Sequence, residues 1–400
     1  MGNGRLRSTP AASLAVGVGR DESVASGFVP DGSAPRQSNG CWFGTHQVPV
    51  VAHEVRHYDP RVFSACSASP AVSVGPGSGI QAKSERLPHR LPGLRIAFAG
   101  SGAFGVPALR RLAETYGVLT VVSQPDRPAG RGLHLAAPPA KEASQELGIP
   151  VIQPRTINAP SVLDQLRALD LDFFVVAAFG QFLRAPVLTL PKYGCVNIHA
   201  SLLPKYRGAA PVAWAIIRGE REAGITTFVL DEGMDTGPLL LQKALPIGPD
   251  ETAGELGARL AVLGSDLIVE TLEKMAAGAL MPQPQSEEGT LAPKLHREDG
   301  RIRWEWEPRR IHDLVRGTHP WPGAHTALRD KPVKVRRTRV VAGEVAGVAG
   351  GTVLPPRDRL LVATGSGIIE ILELQPAGCR PISGREFLNG YCRVPGERFV

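Results

Sequence analysis

Apolar positions divide the chain into a long stretch without period and two regions with different periods. From residue 94 onward, apolar runs alternate with segments of helical spacing. Residues 94–100 read as an apolar strand, 106–116 as an amphipathic helix and 118–123 as a second strand. Helices are expected at 139–147 and 162–169. Residues 171–178 are apolar throughout, as a strand covered on both faces of a parallel sheet would be. Strands interleaved with helices predict an α/β fold, a doubly wound Rossmann-like domain whose ligands sit at the carboxyl ends of its strands.

Cys195–His199 is a shorter strand, entered through Gly194. Period-two alternation puts Cys195, Asn197 and His199 on one face, with Val196 and Ile198 on the other. A helix with Pro in its first turn is expected at 211–218, an antiparallel hairpin at 225–230 and 239–247, and a long amphipathic helix at 256–275. Periodicity then fails over 281–299, which reads as a linker. Residues 300–400 hold a short helix at 310–315 and strands at 333–341, 360–363 and 368–374, with Gly and Pro in the turns. This spacing predicts a small β-barrel. The expected domains are therefore 94–280 and 300–400, with 1–93 outside both.

Asn197, His199 and Asp235 carry the candidate chemistry. A carboxamide can donate to an oxyanion forming on a carbonyl, and an imidazole can take a proton from an attacking amine. Asp235 can orient and charge-stabilise that imidazole, and Gly233 and Gly237 permit the turns that aim it inward. Taken singly, each residue has a plainer reading as a strand-end hydrogen bond or a helix cap. Cys195 suggests a Cys–His hydrolase, but it lies four residues from His199, about 13 Å along a strand, too far for direct proton transfer. It is expected to be a packing residue. The turn Gly100-Ser101-Gly102-Ala103-Phe104-Gly105 satisfies G-x-G-x-x-G after a strand, with Asp126 further on. A nicotinamide-dependent oxidoreductase is therefore an alternative. Against it, Asp126 sits in a proline-punctuated loop, where a ribose-binding acid should cap the second strand.

Composition adds less. An apolar fraction of 43% with 21% charged residues fits a soluble globular chain, and a net charge of +7 favours a polyanionic partner. Cys41, Cys66, Cys195, Cys379 and Cys392 are scattered without metal-ligand spacing, so no metal is expected and a reducing compartment is the simplest inference. Residues 1–93 are rich in Gly, Pro, Ser, Ala and Val and lack an apolar run long enough for a membrane span. They read as a disordered extension or a misassigned start. Asp21, Glu22, Asp31 and Glu54 argue against an organellar transit peptide, so a cytoplasmic location is expected, with an organellar one as the alternative.

Three motifs together narrow the function: Asn197-Ile198-His199-Ala200-Ser201-Leu202-Leu203-Pro204, then Lys205-Tyr206-Arg207-Gly208-Ala209-Ala210-Pro211, then Asp231-Glu232-Gly233-Met234-Asp235-Thr236-Gly237. Their combination resembles the 10-formyltetrahydrofolate-dependent formyltransferases. Gln124-Pro125-Asp126-Arg127-Pro128-Ala129-Gly130-Arg131-Gly132 resembles the loop of the branch that acts on methionyl-tRNA, and the likeness extends from about Leu94 to Val400. The glycinamide ribonucleotide enzymes resemble only the catalytic part. Three positions depart from the family pattern: Gly100-Ser101-Gly102 where Gly-Thr-Pro is usual, Phe179 where tyrosine is common and Ala200 where glycine is common.

The resemblance implies formyl transfer to the α-amine of initiator methionyl-tRNA, with another amine acceptor as the alternative. It implies an OB-like second domain, Asn197, His199 and Asp235 as the catalytic groups, and folate contacts from Ser201, Leu202, Leu203 and Pro204. The tRNA is expected to meet Arg127, Arg131, Lys334 and Arg336, and the enzyme is expected to be a monomer. Arg131 sits at the loop arginine that the family uses for tRNA discrimination. Lys334 and Arg336 belong to a basic group with Lys331, Arg337 and Arg339, which taken singly would read as a solvated edge strand.

Overall fold

A computed structural model describes residues 93–129, 134–356, 358–392 and 396–400. Apart from Gly93, the expectation for 1–93 lies outside the described residues. The first region runs β1 (Ile96–Gly100), α1 (Val106–Thr115), β2 (Thr120–Val122), β3 (Arg127–Ala129), β4 (His134–Ala136), α2 (Pro139–Glu146), β5 (Val151–Ile152), α3 (Pro160–Arg167), β6 (Phe173–Ala177), α4 (Ala185–Leu188), β7 (Cys195–His199), α5 (Pro211–Ile217), β8 (Glu222–Val229), β9 (Leu239–Pro246) and α6 (Ala253–Ala276). Seven strands form one sheet in the order β5-β2-β1-β6-β7-β8-β9, parallel as far as β7 and antiparallel from there. This is the doubly wound arrangement the alternation predicts.

The two faces of the sheet explain the unbroken apolar runs. Ile96 and Phe98 of β1 pack into a cluster with α1 and α6, while Ala97 and Ala99 face Val162 and Leu166 of α3 and Val187 of α4. β1 and β6 are buried at every position. β7 follows the same rule, with Val196 and Ile198 in the first cluster and Cys195 in the second. Helix α6 is started by a reciprocal cap, in which Thr252 Oγ1 accepts from Glu255 N and the Glu255 carboxylate accepts from Thr252 N. Gly264 lets α6 close onto β7, since a Cβ there would lie 2.9 Å from Ile198 Cγ2.

The expected linker is not a free tether. Gln283 and Leu239 exchange backbone hydrogen bonds of 2.7 and 2.8 Å, and Arg207 pairs in parallel with the strip around Leu291. Residues 283–292 therefore lie along the first region. Their lack of period reflects contacts made by backbone and polar side chains instead of an apolar face.

The second region comprises α7 (Pro308–Gly317), β10 (Ala324–Leu328), β11 (Lys331–Val341), β12 (Val353–Leu354), β13 (Leu361–Ala363), β14 (Ile368–Pro376), β15 (Ile382–Ser383) and α8 (Gly384–Gly390). Its antiparallel sheet runs β10-β11-β14-β13-β12, with β15 added to β14. The sheet curls into an OB-like half-barrel. Its two edges are bridged by the terminal residues, Leu328 to Phe399 and Thr352 to Arg398. Trp304, Phe387 and Phe399 stack at its core. Helix α7 joins the two regions through polar contacts: His312 Nε2 lies 3.0 Å from the Pro249 carbonyl, and Arg316 donates to the Gly248 and Glu251 carbonyls while pairing with Asp313.

Candidate active site

The site is built on the last residues of β7, at a carboxyl end of the sheet. Asn197 pairs with Phe228 across the strand and His199 with Thr226. Both polar side chains share the face opposite Val196 and Ile198, about 7 Å apart along the strand. The imidazole is held from three directions. Its Nε2 lies 2.9 Å from the Tyr206 carbonyl, the Phe228 ring meets it edge-on at 6.4 Å, and its Nδ1 lies 3.6 Å from Asp235 Oδ2. That last separation is longer than a hydrogen bond and becomes an ion pair only when the ring is protonated. Orientation therefore comes from Tyr206, and the contribution of Asp235 is electrostatic.

Asp235 is placed by its loop. Its φ is +55°, a left-handed conformation that Asp tolerates better than most residues, and its Oδ2 accepts from Gly208 N at 2.8 Å. Gly237 is required beside it, because a Cβ there would fall 1.8 Å from the Val229 carbonyl. Asp231 is scaffold: its carboxylate accepts from Gly233 N and Thr236 Oγ1 within the same loop. The Asn197 side chain is buried, at 9% exposure, yet makes no hydrogen bond among the described residues. Both of its N–H groups are free for a ligand. Among the described residues, no group of three or more His, Cys, Asp or Glu is placed to hold a metal ion.

The expected folate residues form a tight turn that is largely bonded to the protein. Ser201 Oγ donates to the Lys205 carbonyl at 2.6 Å, and Thr226 Oγ1 links the Ser201 carbonyl to Leu203 N. Gln242 Nε2 donates to the Leu203 carbonyl at 2.8 Å. Ser201 and Leu203 are buried, leaving Leu202 and Pro204 partly exposed. Two nearby loops carry exposed apolar groups, Phe182 and Met234, and are joined where Glu232 accepts from Ala185 N at 3.2 Å.

The G-x-G-x-x-G turn is committed to the protein itself. Ser101 N and Gly102 N donate to the Ala178 carbonyl at 3.2 and 3.3 Å, and Gln124 N donates to Ser101 Oγ at 3.0 Å. These are N–H groups a pyrophosphate would need. Asp126 is held below the ordinary carboxylate range by its hydrogen bond from Gln153 and then by Lys141, so its oxygens are already engaged. Cys195 is buried among apolar groups, its thiol pushed up to about 12, and it donates toward the Val187 carbonyl at 3.7 Å. Burial of this kind disfavours a thiolate and accords with a packing role.

The basic residues separate into free and engaged groups. Arg127 is exposed at the base of the β3–β4 hairpin and donates to Gln124 Oε1 at 2.5 Å. Arg131 lies outside the described residues. On β11, Lys331 and Lys334 are exposed and make no ion pair among the described residues, whereas Arg336, Arg337 and Arg339 pair with Glu373, Glu255 and Glu370. Not anticipated from sequence is a cleft of about 600 Å³ whose lining mixes arginines, among them Arg218, Arg301, Arg303 and Arg310, with Trp214, Trp306 and the acids Glu298, Asp299, Glu307 and Asp313. Arg310 stacks on Trp306 at 3.8 Å and Arg218 lies over Trp214 at 5.3 Å. The signal was present in Arg301-Ile302-Arg303-Trp304, but nothing local to that run brings α5 beside it.

The chain matches the model of the formyl transferase family over residues 94–272 and that of the formyl transferase C-terminal domain over 294–392. It is 48% identical over 310 residues to the methionyl-tRNA formyltransferase of Geobacter sulfurreducens, covering 77% of this chain and 97% of that one. With the methionyl-tRNA formyltransferase of Thermodesulfovibrio yellowstonii it shares 43% identity over 296 residues, 74% of this chain and 95% of the relative. An N-formyltransferase from Helicobacter canadensis, solved with folinic acid and dTDP-3-aminofucose, superposes with a TM-score of 0.55 at 17% identity, over 71% of this chain and all of that one. A sugar 3N-formyltransferase solved with dTDP and 5-N-formyl-THF gives a TM-score of 0.54 at 16% identity, over 72% and 99%. At such identities these two structures bear on the fold alone.

Proposed function

The chain belongs to the formyl transferase family, among the methionyl-tRNA formyltransferases, and from that premise we propose that Asn197, His199 and Asp235 are its catalytic groups. The enzyme transfers a formyl group from 10-formyltetrahydrofolate to the α-amine of methionyl-tRNA. The observation that carries the assignment of the site is the presence of three groups on the carboxyl end of β7 and the loop beside it. These are a buried carboxamide with no protein partner, an imidazole with one nitrogen committed, and a carboxylate 3.6 Å from the other nitrogen.

When the amine attacks the formyl carbon, the Asn197 N–H groups donate to the oxygen that gains charge. His199 takes the amine proton, and Asp235 balances the positive charge that arrives on the ring. The intermediate then collapses: the bond from the formyl carbon to the folate nitrogen breaks, and the proton held on His199 passes to that nitrogen as tetrahydrofolate leaves. Leu202 and Pro204 are the partly exposed residues of the turn and meet the folate, with Phe182 and Met234 offering further apolar surface. Ser201 and Leu203 act from beneath, shaping that turn.

The initiator tRNA lies against Arg127 at the base of the β3–β4 hairpin, against Arg131 and against Lys334 on β11. Arg336 contributes less, since Glu373 already neutralises it at 2.7 Å. The enzyme acts as a monomer in the cytoplasm with the translation machinery; no helix among the described residues is long and apolar enough to cross a membrane. The test is an acceptor comparison with 10-formyltetrahydrofolate as donor. Charged initiator tRNA should be formylated, and free methionine and glycinamide ribonucleotide should not. Equal use of glycinamide ribonucleotide would move the assignment to another branch of the family.

A further inference from the structure

We propose that Gln285 is a positioning residue for the catalytic centre, locking the loop that carries Asp235 to the arm that orients His199. The proposal rests on the reading of His199 and Asp235 as catalytic groups. It concerns what keeps them at their separation.

Two short pieces of backbone set the geometry of the imidazole and the carboxylate. One is the 206–208 arm, whose Tyr206 carbonyl accepts from His199 Nε2 and whose Gly208 N–H donates to Asp235 Oδ2. The other is the 235–237 loop. Gln285 bonds to both. Its Oε1 accepts from Arg207 Nε at 3.2 Å and Arg207 Nη2 at 2.9 Å. Its Nε2 donates to the Asp235 carbonyl at 2.9 Å and the Gly237 carbonyl at 2.7 Å. A carboxamide has two donor hydrogens and two acceptor lone pairs, and here all four are used. Nothing remains with which Gln285 can touch a substrate, so its effect on the reaction passes through the residues it holds.

The strip that carries Gln285 is itself fixed. Gln283 is paired to Leu239 on β9, and Pro282 and Pro284 keep the preceding residues extended. Beyond Gln285, the Ser286 carbonyl accepts from Arg207 Nη2 at 2.9 Å, Thr290 Oγ1 accepts from Tyr206 N, and Arg207 exchanges backbone bonds with Thr290 and Ala292. Gly208 has φ +118°, and a Cβ on it would come 2.7 Å from the Ala292 carbonyl, so strip and arm are in van der Waals contact. Gln285 is the residue of this strip whose side chain reaches across to the Asp235 loop as well. Losing it leaves the bond from Gly208 N–H to Asp235 Oδ2 to hold the loop to the arm, while the strip keeps its other bonds.

Three variants of the full chain test this, in steady-state assays with methionyl-tRNA and 10-formyltetrahydrofolate and with thermal midpoints recorded. Gln285→Glu is nearly isosteric. It keeps the acceptor for Arg207 but sets oxygen against the Asp235 and Gly237 carbonyls, and it should lower kcat by about tenfold to a hundredfold with both KM values changed by less than about threefold. Gln285→Ala should do the same. In an Asp235→Asn background, Gln285→Ala should cost little further turnover, since the group it positions is already disabled. If the Gln285 variants turn over like the parent, or if their loss adds in full to that of Asp235→Asn, the residue is only a fold anchor and the proposal is overturned. If Asp235→Asn itself retains parental turnover, the catalytic reading fails instead.

Discussion

His199 Nε2 and the Tyr206 carbonyl oxygen are 2.9 Å apart, and that contact decides which ring nitrogen carries the hydrogen. A carbonyl only accepts, so Nε2 carries the hydrogen and Nδ1 is left to take a proton. Nδ1 faces Asp235 Oδ2 at 3.6 Å, where the carboxylate can balance the charge a proton brings. Asp235→Asn keeps an oxygen for the Gly208 N–H and removes only the charge. It should lower kcat by about 10²- to 10⁴-fold, in the range of His199→Ala, with the KM for tRNA little changed. Steady-state kinetics on both variants check this, and a rise in KM at parental kcat would count against the role.

Asn197 gives a cleaner separation of activity from stability. Its carboxamide has no protein partner among the described residues, so Asn197→Ala leaves no hydrogen-bonding group of the fold unpaired. Turnover should fall by about 10²- to 10³-fold, as for loss of one oxyanion donor, and stability should change by less than about 1 kcal/mol. A denaturant melt beside a rate measurement settles it. A large stability loss would mean that the side chain is a packing residue.

The contrast between Asn197 and Gln285 marks how far the sequence could be read. β7 was legible to the residue because period two over Cys195–His199 fixes which side chains share a face. Strands β1, β2, β6, β8 and β9 and helix α6 were legible from their apolar patterns, and only the ends moved, as where β8 starts at Glu222 instead of residue 225. The β3–β4 hairpin, β5 and the short α4 were not legible, being two to four residues long and held by neighbours. At the site, His199 and Asp235 could be singled out from the motifs, but the bonds that hold them could not. Tyr206, Gly208, Thr226 and Gln242 act through backbone geometry or long-range contacts that no local pattern reports. The segment 281–299 has no apolar face, and reading it as a linker followed from that alone.

Stability of the half-barrel should depend on Glu370. This buried carboxylate is held below its ordinary range by hydrogen bonds from Arg359 and, more weakly, by the charge of Arg339. A depressed folded value means that the stabilisation is present above the unfolded value near 4.5 and is lost as pH falls toward the folded one. Glu370→Gln should therefore be less stable than the parent at neutral pH, and the gap between their thermal midpoints should narrow as pH drops below about 4.5. A gap that stays constant down to pH 3 would show that the carboxylate charge is not what stabilises β14.

Contacts with tRNA should separate by whether a cation is already paired. Lys334 is exposed and makes no ion pair among the described residues, while Arg336 is 2.7 Å from Glu373 on the neighbouring strand. A free cation facing a phosphate releases counterions when it binds, so each such contact adds about 0.7 to 0.9 to the slope of log affinity against log salt. Lys334→Ala and Arg131→Ala should each raise the KM for tRNA, reduce that slope by about 1 and leave kcat at saturating tRNA intact. Arg336→Ala should change the slope less and lower the thermal midpoint more, because it strands Glu373. Salt titrations of tRNA affinity on the three variants distinguish these outcomes. If Arg336→Ala alters the slope as much as Lys334→Ala, the guanidinium leaves Glu373 for the nucleic acid, and β11 as a whole is the docking face.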